Sequence, residues 1–120
     1  MASVLIVDDA AFMRMSIKRM LEDNGHTMAG EAANGIEAVE KYLVVKPDVV
    51  ILDITMPEMN GVEALRRIKI LDPEAKIIIC TALGQQAMLA QAVEYGATDF
   101  IVKPFEVDRL MSAIDKVMGI

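Results

Sequence analysis

Residues 49–53 read Val-Val-Ile-Leu-Asp, four apolar side chains followed by a carboxylate. The run is too short for a helix and is rich in branched side chains, so it predicts a β-strand. Because the strand is apolar at every position before Asp53, both of its faces need a cover. Strands of this kind are typical of parallel sheets that lie between two layers of helices.

The same pattern recurs on both sides of this strand. Short apolar or branched runs predict four more strands, at residues 3–7, 27–32, 76–81 and 99–103. Apolar side chains at helical spacing predict helices over residues 10–23, 34–45, 85–95 and 106–118, and another from Asn60, its predicted cap, to near Asp72. In the second helix the residues predicted to share the buried face are Ile36, Val39, Tyr42 and Leu43. Strand and helix thus alternate five times, which predicts an α/β fold with a doubly wound parallel sheet and helices on both faces.

Composition restricts the classes of function. The chain has 120 residues, enough for a single domain over residues 1–120 without an output domain. Its formal net charge of −6 argues against nucleic acid or an anionic membrane as a partner. No apolar run approaches the length of a membrane span, and the first residues do not form a signal peptide. The lone Cys80 is predicted to be an inert core thiol, and His26 a surface loop residue.

Polar side chains stand where the predicted strands end. Asp8 and Asp9 follow the first strand and Asp53 the third, while Thr81 ends the fourth and Lys103 the fifth. In an open parallel sheet, ligands bind at the carboxyl ends of the strands. If these strands are neighbours, one lysine cannot balance three aspartates, but a hard divalent cation such as Mg²⁺ can. An aspartate carboxylate is also a nucleophile that forms aspartyl-phosphate, so the cluster indicates phosphoryl chemistry.

Four segments in this order carry a family resemblance. They are LIVDD at 5–9, DITMPEMNG at 53–61, TA at 81–82 and DFIVKPF at 99–105. Together they resemble the response-regulator receiver domain, and the chain is similar to stand-alone chemotaxis receivers. The resemblance implies a flavodoxin-like receiver fold, and the strand order 2-1-3-4-5 is carried over from that family.

The resemblance also implies roles for the strand-end residues. Asp53 would accept a phosphoryl group from a chemotaxis histidine kinase, and Thr81 and Lys103 would bind that group. The implied Mg²⁺ ligands are the carboxylates of Asp8, Asp9 and Asp53 and the backbone carbonyl of Thr55. The peptide bond between Lys103 and Pro104 would be cis. Leu83, two residues beyond Thr81, is expected to exclude water from the site.

A switch that is read by a partner is the implied output. As Thr81 moves toward the phosphoryl group, Phe100 would fill the vacated space without burying a hydroxyl. The implied switch and partner face comprises Gln86, Leu89, Val93, Phe100, Val102 and Lys116. The resemblance implies a cytoplasmic monomer that binds a motor-switch or adaptor protein, with a phosphatase as a further partner. It would be a signalling switch that catalyses only its own Mg²⁺-dependent phosphorylation and dephosphorylation.

Three alternatives remain beside this interpretation. The chain could be a stand-alone receiver of another two-component pathway. It could be an aspartyl-phosphate phosphatase, although such enzymes usually carry a second acid where this chain has Thr55, and there is no room for a cap domain. It could be a flavin or nucleotide carrier, but Asp8-Asp9-Ala10-Ala11 follows the first strand where a glycine-rich phosphate loop would be needed.

Overall fold

Five strands and five helices alternate along the chain in a computed structural model that describes residues 1–119. The strands are β1 (Ser3–Val7), β2 (Thr27–Ala32), β3 (Val49–Asp53), β4 (Ile77–Thr81) and β5 (Asp99–Val102). The helices are α1 (Ala11–Asp23), α2 (Gly35–Val45), α3 (Gly61–Leu71), α4 (Gln86–Glu94) and α5 (Val107–Met118). All strand pairs are parallel, in the order β2-β1-β3-β4-β5. The predicted α/β fold and its strand order are confirmed.

The sheet has a buried apolar core on each face. Alternate residues of β3 enter different cores: Val50 and Leu52 pack with α2, α3 and α4, and Val49 and Ile51 pack with α1 and α5. Every residue of β3 is buried. This two-sided burial is the reason why the strand is apolar throughout up to its final carboxylate.

The buried face of α2 agrees with the prediction at Tyr42 and in part at Val39, but differs at two positions. Ile36 and Leu43 were expected to point inward, but they are 44% and 51% exposed. The buried positions are Gly35, Ala38 and Tyr42. Gly35 sets this rotation, because its backbone N–H donates to the Met59 carbonyl at 2.9 Å and a Cβ at Gly35 would lie 2.3 Å from that oxygen.

His26 is buried, so the prediction of a surface loop histidine is wrong. Its side chain is part of the connection between α1 and β2, and the residue is 8% exposed. Nδ1 of His26 accepts a hydrogen bond from the backbone N–H of Ala2 at 2.9 Å. The imidazole thereby links the α1–β2 loop to Ala2, the residue before β1. A contact between residues 24 positions apart has no local sequence pattern, so it could not be predicted.

The start of α3 packs tightly against the end of β3. Asn60 caps the helix as predicted, and its side chain accepts a hydrogen bond from the Glu63 backbone N–H at 3.0 Å. A Cβ at Gly61 would lie 2.2 Å from the carbonyl oxygen of Asp53, so only glycine allows this approach. The contact fixes the loop at residues 54–60 above the carboxyl end of β3.

None of the helices within residues 1–119 combines the length and apolar character that crossing a bilayer requires.

Candidate functional site

Three carboxylates meet at the carboxyl end of the sheet. Asp8 and Asp9 directly follow β1, and Asp53 is the last residue of the adjacent strand β3. The register pairs Val7 with Leu52, so the two strands end side by side. One carboxylate oxygen from each aspartate lies within 4.8 Å of the others. Asp8 and Asp53 are buried, whereas Asp9 is exposed and forms the open side of the cluster.

Lys103 reaches the cluster from the carboxyl end of β5, the edge strand two places from β3. Its ammonium nitrogen Nζ lies 2.8 Å from Oδ2 of Asp8 and 3.3 Å from Oδ1 of Asp53. The peptide bond between Lys103 and Pro104 is cis. The Lys103 backbone N–H donates to the Thr81 carbonyl at 2.7 Å, so the end of β4 holds the start of this segment.

The charges of the cluster are not balanced. Burial raises the pKa of Asp53; the Lys103 charge opposes this effect and the Asp8 charge adds to it. Burial alone would lower the pKa of Lys103, but its hydrogen bond to Asp8 and the nearby carboxylate charges raise it overall. Three carboxylates and one ammonium leave two negative charges in excess among these four side chains.

These residues fit a magnesium ion. The three aspartates offer hard oxygen ligands within a small volume. A cation bound beside the exposed Asp9 would neutralise the excess negative charge. The loop after β3 borders the same space, because the backbone at Thr55, two residues beyond Asp53, lowers the pKa of the Asp53 carboxyl and so opposes part of the effect of burial. The three aspartates predicted as metal ligands therefore lie together in the structure, and coordination by the Thr55 carbonyl stays a prediction.

Arg14 is a basic neighbour that the sequence did not single out. Its guanidinium donates to the backbone carbonyl of Asp8 at 2.6 Å and pairs with the Glu31 carboxylate at 2.6 Å. The hydrogen bond to the Asp8 carbonyl lets Arg14 stabilise the loop after β1. Its positive charge is paired with Glu31 and not with the aspartate cluster.

Thr81 lies at the end of β4, and its hydroxyl is hydrogen-bonded to the side chain of Gln85. The Thr81 side chain is buried, and its Oγ1 donates to Oε1 of Gln85 at 3.2 Å. The same Oε1 accepts from the Ala82 backbone N–H at 2.8 Å, and Nε2 of Gln85 donates to the Thr55 hydroxyl. Sequence reasoning placed Gln85 at the start of the predicted helix over residues 85–95 and gave it no role in the site, because an amide four residues beyond a strand end carries no signal of a bridge. Leu83 is 87% exposed, so in this arrangement it does not shield the site from water as expected.

The predicted partner face lies along α4, β5 and α5. Val93, Phe100 and Val102 are 56%, 39% and 41% exposed, and Gln86 and Lys116 are also exposed. Leu89 differs, because it is half-buried and packs against the core beneath α4. Five of the six residues are thus accessible to a partner.

Cys80 lies in β4 directly before Thr81 and is buried. Burial raises the pKa of its thiol to about 12. The thiol is therefore protonated at neutral pH and unreactive, which agrees with the predicted core role.

Comparisons with known proteins agree with this geometry. A sequence model of the response regulator receiver domain matches residues 4–115. The chain is 60% identical over 114 residues to the chemotaxis protein CheY of Thermotoga maritima, covering 95% of each chain. It is 56% identical over 116 residues to CheY of Bacillus subtilis, covering 97% of each.

A solved structure shares both the fold and the sequence pattern. In the CheX–CheY–BeF₃–Mg²⁺ complex of Borrelia burgdorferi, the matching chain has a TM-score of 0.91 and 36% identity. The match covers 97% of this chain and 88% of that one. By the family match, the relatives and the fold, this chain belongs to the response regulator receiver-domain family, and the two relatives named above are chemotaxis proteins.

Proposed function

We propose that this chain is a phosphorylation-activated chemotaxis response regulator that accepts a phosphoryl group on Asp53. The observation that carries the proposal is the position of the Asp53 carboxylate. It lies at the open end of the sheet, within 4.8 Å of Asp8 and Asp9 and 3.3 Å from the ammonium of Lys103. A structural aspartate at a strand end would have no need of two more acids and a partly buried lysine.

In the proposed reaction an oxygen of the Asp53 carboxylate attacks the phosphorus of a phosphohistidine on a histidine kinase. A phosphorus–oxygen bond forms, the phosphorus–nitrogen bond breaks, and its electron pair leaves with the imidazole. Asp8, Asp9, Asp53 and the backbone carbonyl of Thr55 would hold a Mg²⁺ ion, which would neutralise charge on the transferring group.

Lys103 and Thr81 are proposed to hold the transferred group. Lys103 is oriented by its shorter contact, 2.8 Å to Asp8, so it can exchange the longer one to Asp53 for a phosphoryl oxygen. The Thr81 hydroxyl, at the end of the adjacent strand β4, is a neutral donor for a second oxygen. Positioning and charge stabilisation supply most of the catalysis in such transfers.

The proposed output is binding of a motor-switch or adaptor protein in the cytoplasm by a monomeric chain, opposed by a phosphatase. Movement of Thr81 toward the phosphoryl group frees space for Phe100, whose ring is now 39% exposed. Since the Phe100 ring carries no hydroxyl, its burial leaves no polar atom unpaired. The exposed side chains of Val93 and Val102 border the same surface and give a partner apolar contacts.

The test is labelling by a small phosphodonor such as acetyl phosphate. We expect the wild-type chain to accumulate label with Mg²⁺ and not with a chelator, and Asp53→Asn to remain unlabelled. Asp23→Asn, at an exposed aspartate that ends α1, is the matched control and should label as the wild type does. Persistent labelling of Asp53→Asn would contradict the proposal. Hydrolysis of the donor without any accumulated label would support an aspartyl-phosphate phosphatase instead.

A further inference from the structure

The carboxamide of Gln85 spans the mouth of the candidate site. Its oxygen accepts from the Thr81 hydroxyl at 3.2 Å and from the Ala82 backbone N–H at 2.8 Å. Its nitrogen donates to the hydroxyl of Thr55, thirty positions earlier in the chain. One side chain therefore connects the loop after β4 with the loop after β3, directly above the end of the sheet.

Gln85 and a phosphoryl group on Asp53 would compete for the same hydrogen-bond donor, the hydroxyl of Thr81. A threonine hydroxyl has a single proton to donate. Thr81 directs this proton at Gln85, and the other acceptor within reach, the Ala82 carbonyl, is more distant at 3.4 Å. The hydroxyl can therefore bond either to the carboxamide oxygen or to a phosphoryl oxygen on Asp53, but not fully to both.

We propose that Gln85 is a positioning residue that holds Thr81 in its unphosphorylated arrangement and is displaced when a phosphoryl group occupies Asp53. This inference rests on the proposed function. A charged phosphoryl oxygen forms a hydrogen bond about twice as strong as a neutral carboxamide oxygen does, so the phosphoryl group wins the competition. The contact to Gln85 then lowers the apparent affinity of the site for the phosphoryl group.

Displacement of Gln85 also affects the start of α4. Gln85 directly precedes the first residue of that helix, Gln86, which belongs to the proposed partner face. Gly84 before it has a φ of +91°, a conformation that favours glycine, and residues 82–84 are exposed. When the carboxamide leaves Thr55 and Thr81, the first turn of α4 loses its connection to the site. A phosphoryl group on Asp53 thereby alters the start of α4, which belongs to the proposed partner face.

The experiment uses beryllium fluoride with Mg²⁺ as a phosphoryl mimic. Gln85→Met keeps the length of the side chain but removes its hydrogen bonds, and Gln85→Ala removes the bulk as well. We expect both variants to bind the mimic about two- to tenfold more tightly than the wild type, the range that loss of one competing hydrogen bond produces. Gln91→Met, at an exposed glutamine of the same helix, is the matched control and should leave the affinity unchanged.

A spectroscopic readout separates this role from a general effect on packing. The amide resonance of Ala82 should differ between wild type and Gln85→Met without the mimic, because its carboxamide acceptor is absent in the variant. The two resonances should converge when the mimic is bound, because Gln85 has then left in the wild type. Equal or weaker binding by both Gln85 variants, or a resonance difference that persists with the mimic, would overturn the inference. A wild-type chain that does not bind the mimic at all would refute the proposed function itself.

Discussion

Replacement of Asp53 by asparagine should stabilise the folded chain when Mg²⁺ is absent. Asp53 is buried and faces two other carboxylates, and burial is the largest cause of its raised pKa. A carboxyl group whose pKa is raised by folding costs stability when it is ionised. This cost is fully present above the folded-state pKa and disappears as the pH falls below the unfolded-state value. Asparagine keeps the shape and a hydrogen-bond acceptor for Lys103 but removes the charge.

The distances give the magnitude. At an effective dielectric constant of about 20, the Asp8 carboxylate, with an oxygen within 4.8 Å, repels Asp53 by at least about 3.5 kcal/mol. At 3.3 Å, Lys103 attracts Asp53 by about 5 kcal/mol on the same scale. Attraction by Lys103 thus exceeds repulsion by Asp8, and the cost of the charge comes from burial of the carboxylate, a penalty of several kcal/mol that Lys103 offsets only in part. We therefore expect Asp53→Asn to raise the free energy of unfolding by about 1–2 kcal/mol, or the melting temperature by about 3–8 °C.

The assay is urea unfolding at pH 7, followed by circular dichroism, with chelator and with Mg²⁺. Mg²⁺ at ten times its dissociation constant should stabilise the wild type by about 1.4 kcal/mol and the variant by much less. Asp23→Asn, which keeps the cluster intact, should match the wild type in chelator and gain the same stabilisation from Mg²⁺. The reasoning would be refuted if Asp53→Asn were less stable than the wild type in chelator, or if Mg²⁺ stabilised both chains equally.

Three further predictions concern residues around the site. Cys80 should fail to react with a thiol reagent at pH 8 in the native chain and react fully in urea, since burial raises its pKa to about 12. Gly61→Ala should destabilise the chain by about 1–3 kcal/mol in urea unfolding, because its Cβ would lie 2.2 Å from the last carbonyl of β3; Gly30→Ala, with side-chain contacts at 3.4 Å, should be better tolerated. In an NMR titration the carboxyl pKa of Glu63, lowered to about 2 by its hydrogen bonds to arginine, should rise in Arg66→Gln. The stabilisation of the folded chain by Glu63 is therefore present above its ordinary pKa of 4.5 and is lost as the pH falls toward 2. An unchanged titration midpoint of the Glu63 carboxyl in Arg66→Gln would contradict this assignment.

The features predicted from the sequence are those that local pattern and topology determine. Where an apolar run is followed by a polar residue, as at Asp53 and Thr81, the sequence itself shows where the strand ends. Once the strands are parallel, their carboxyl ends must lie at one edge, and the strand order carried over from the family resemblance then brings Asp8, Asp53 and Lys103 together.

The features that the sequence did not predict depend on contacts between distant segments. His26 is buried because its ring accepts a hydrogen bond from Ala2, 24 positions away. Ile36 is exposed because the approach of Gly35 to a neighbouring loop sets the rotation of α2. Gln85 reaches Thr55 across two loops, and side-chain bridges of this kind have no periodicity to detect.

The measurement that tests the central claim most directly is the location of the phosphoryl group after reaction with acetyl phosphate and Mg²⁺. Reduction of the acyl phosphate with borohydride followed by peptide mass spectrometry identifies the modified residue. The account predicts a single modified residue, Asp53, and no modification when Mg²⁺ is chelated. Modification at another residue of the cluster such as Asp8, or at Asp53 regardless of Mg²⁺, would contradict it.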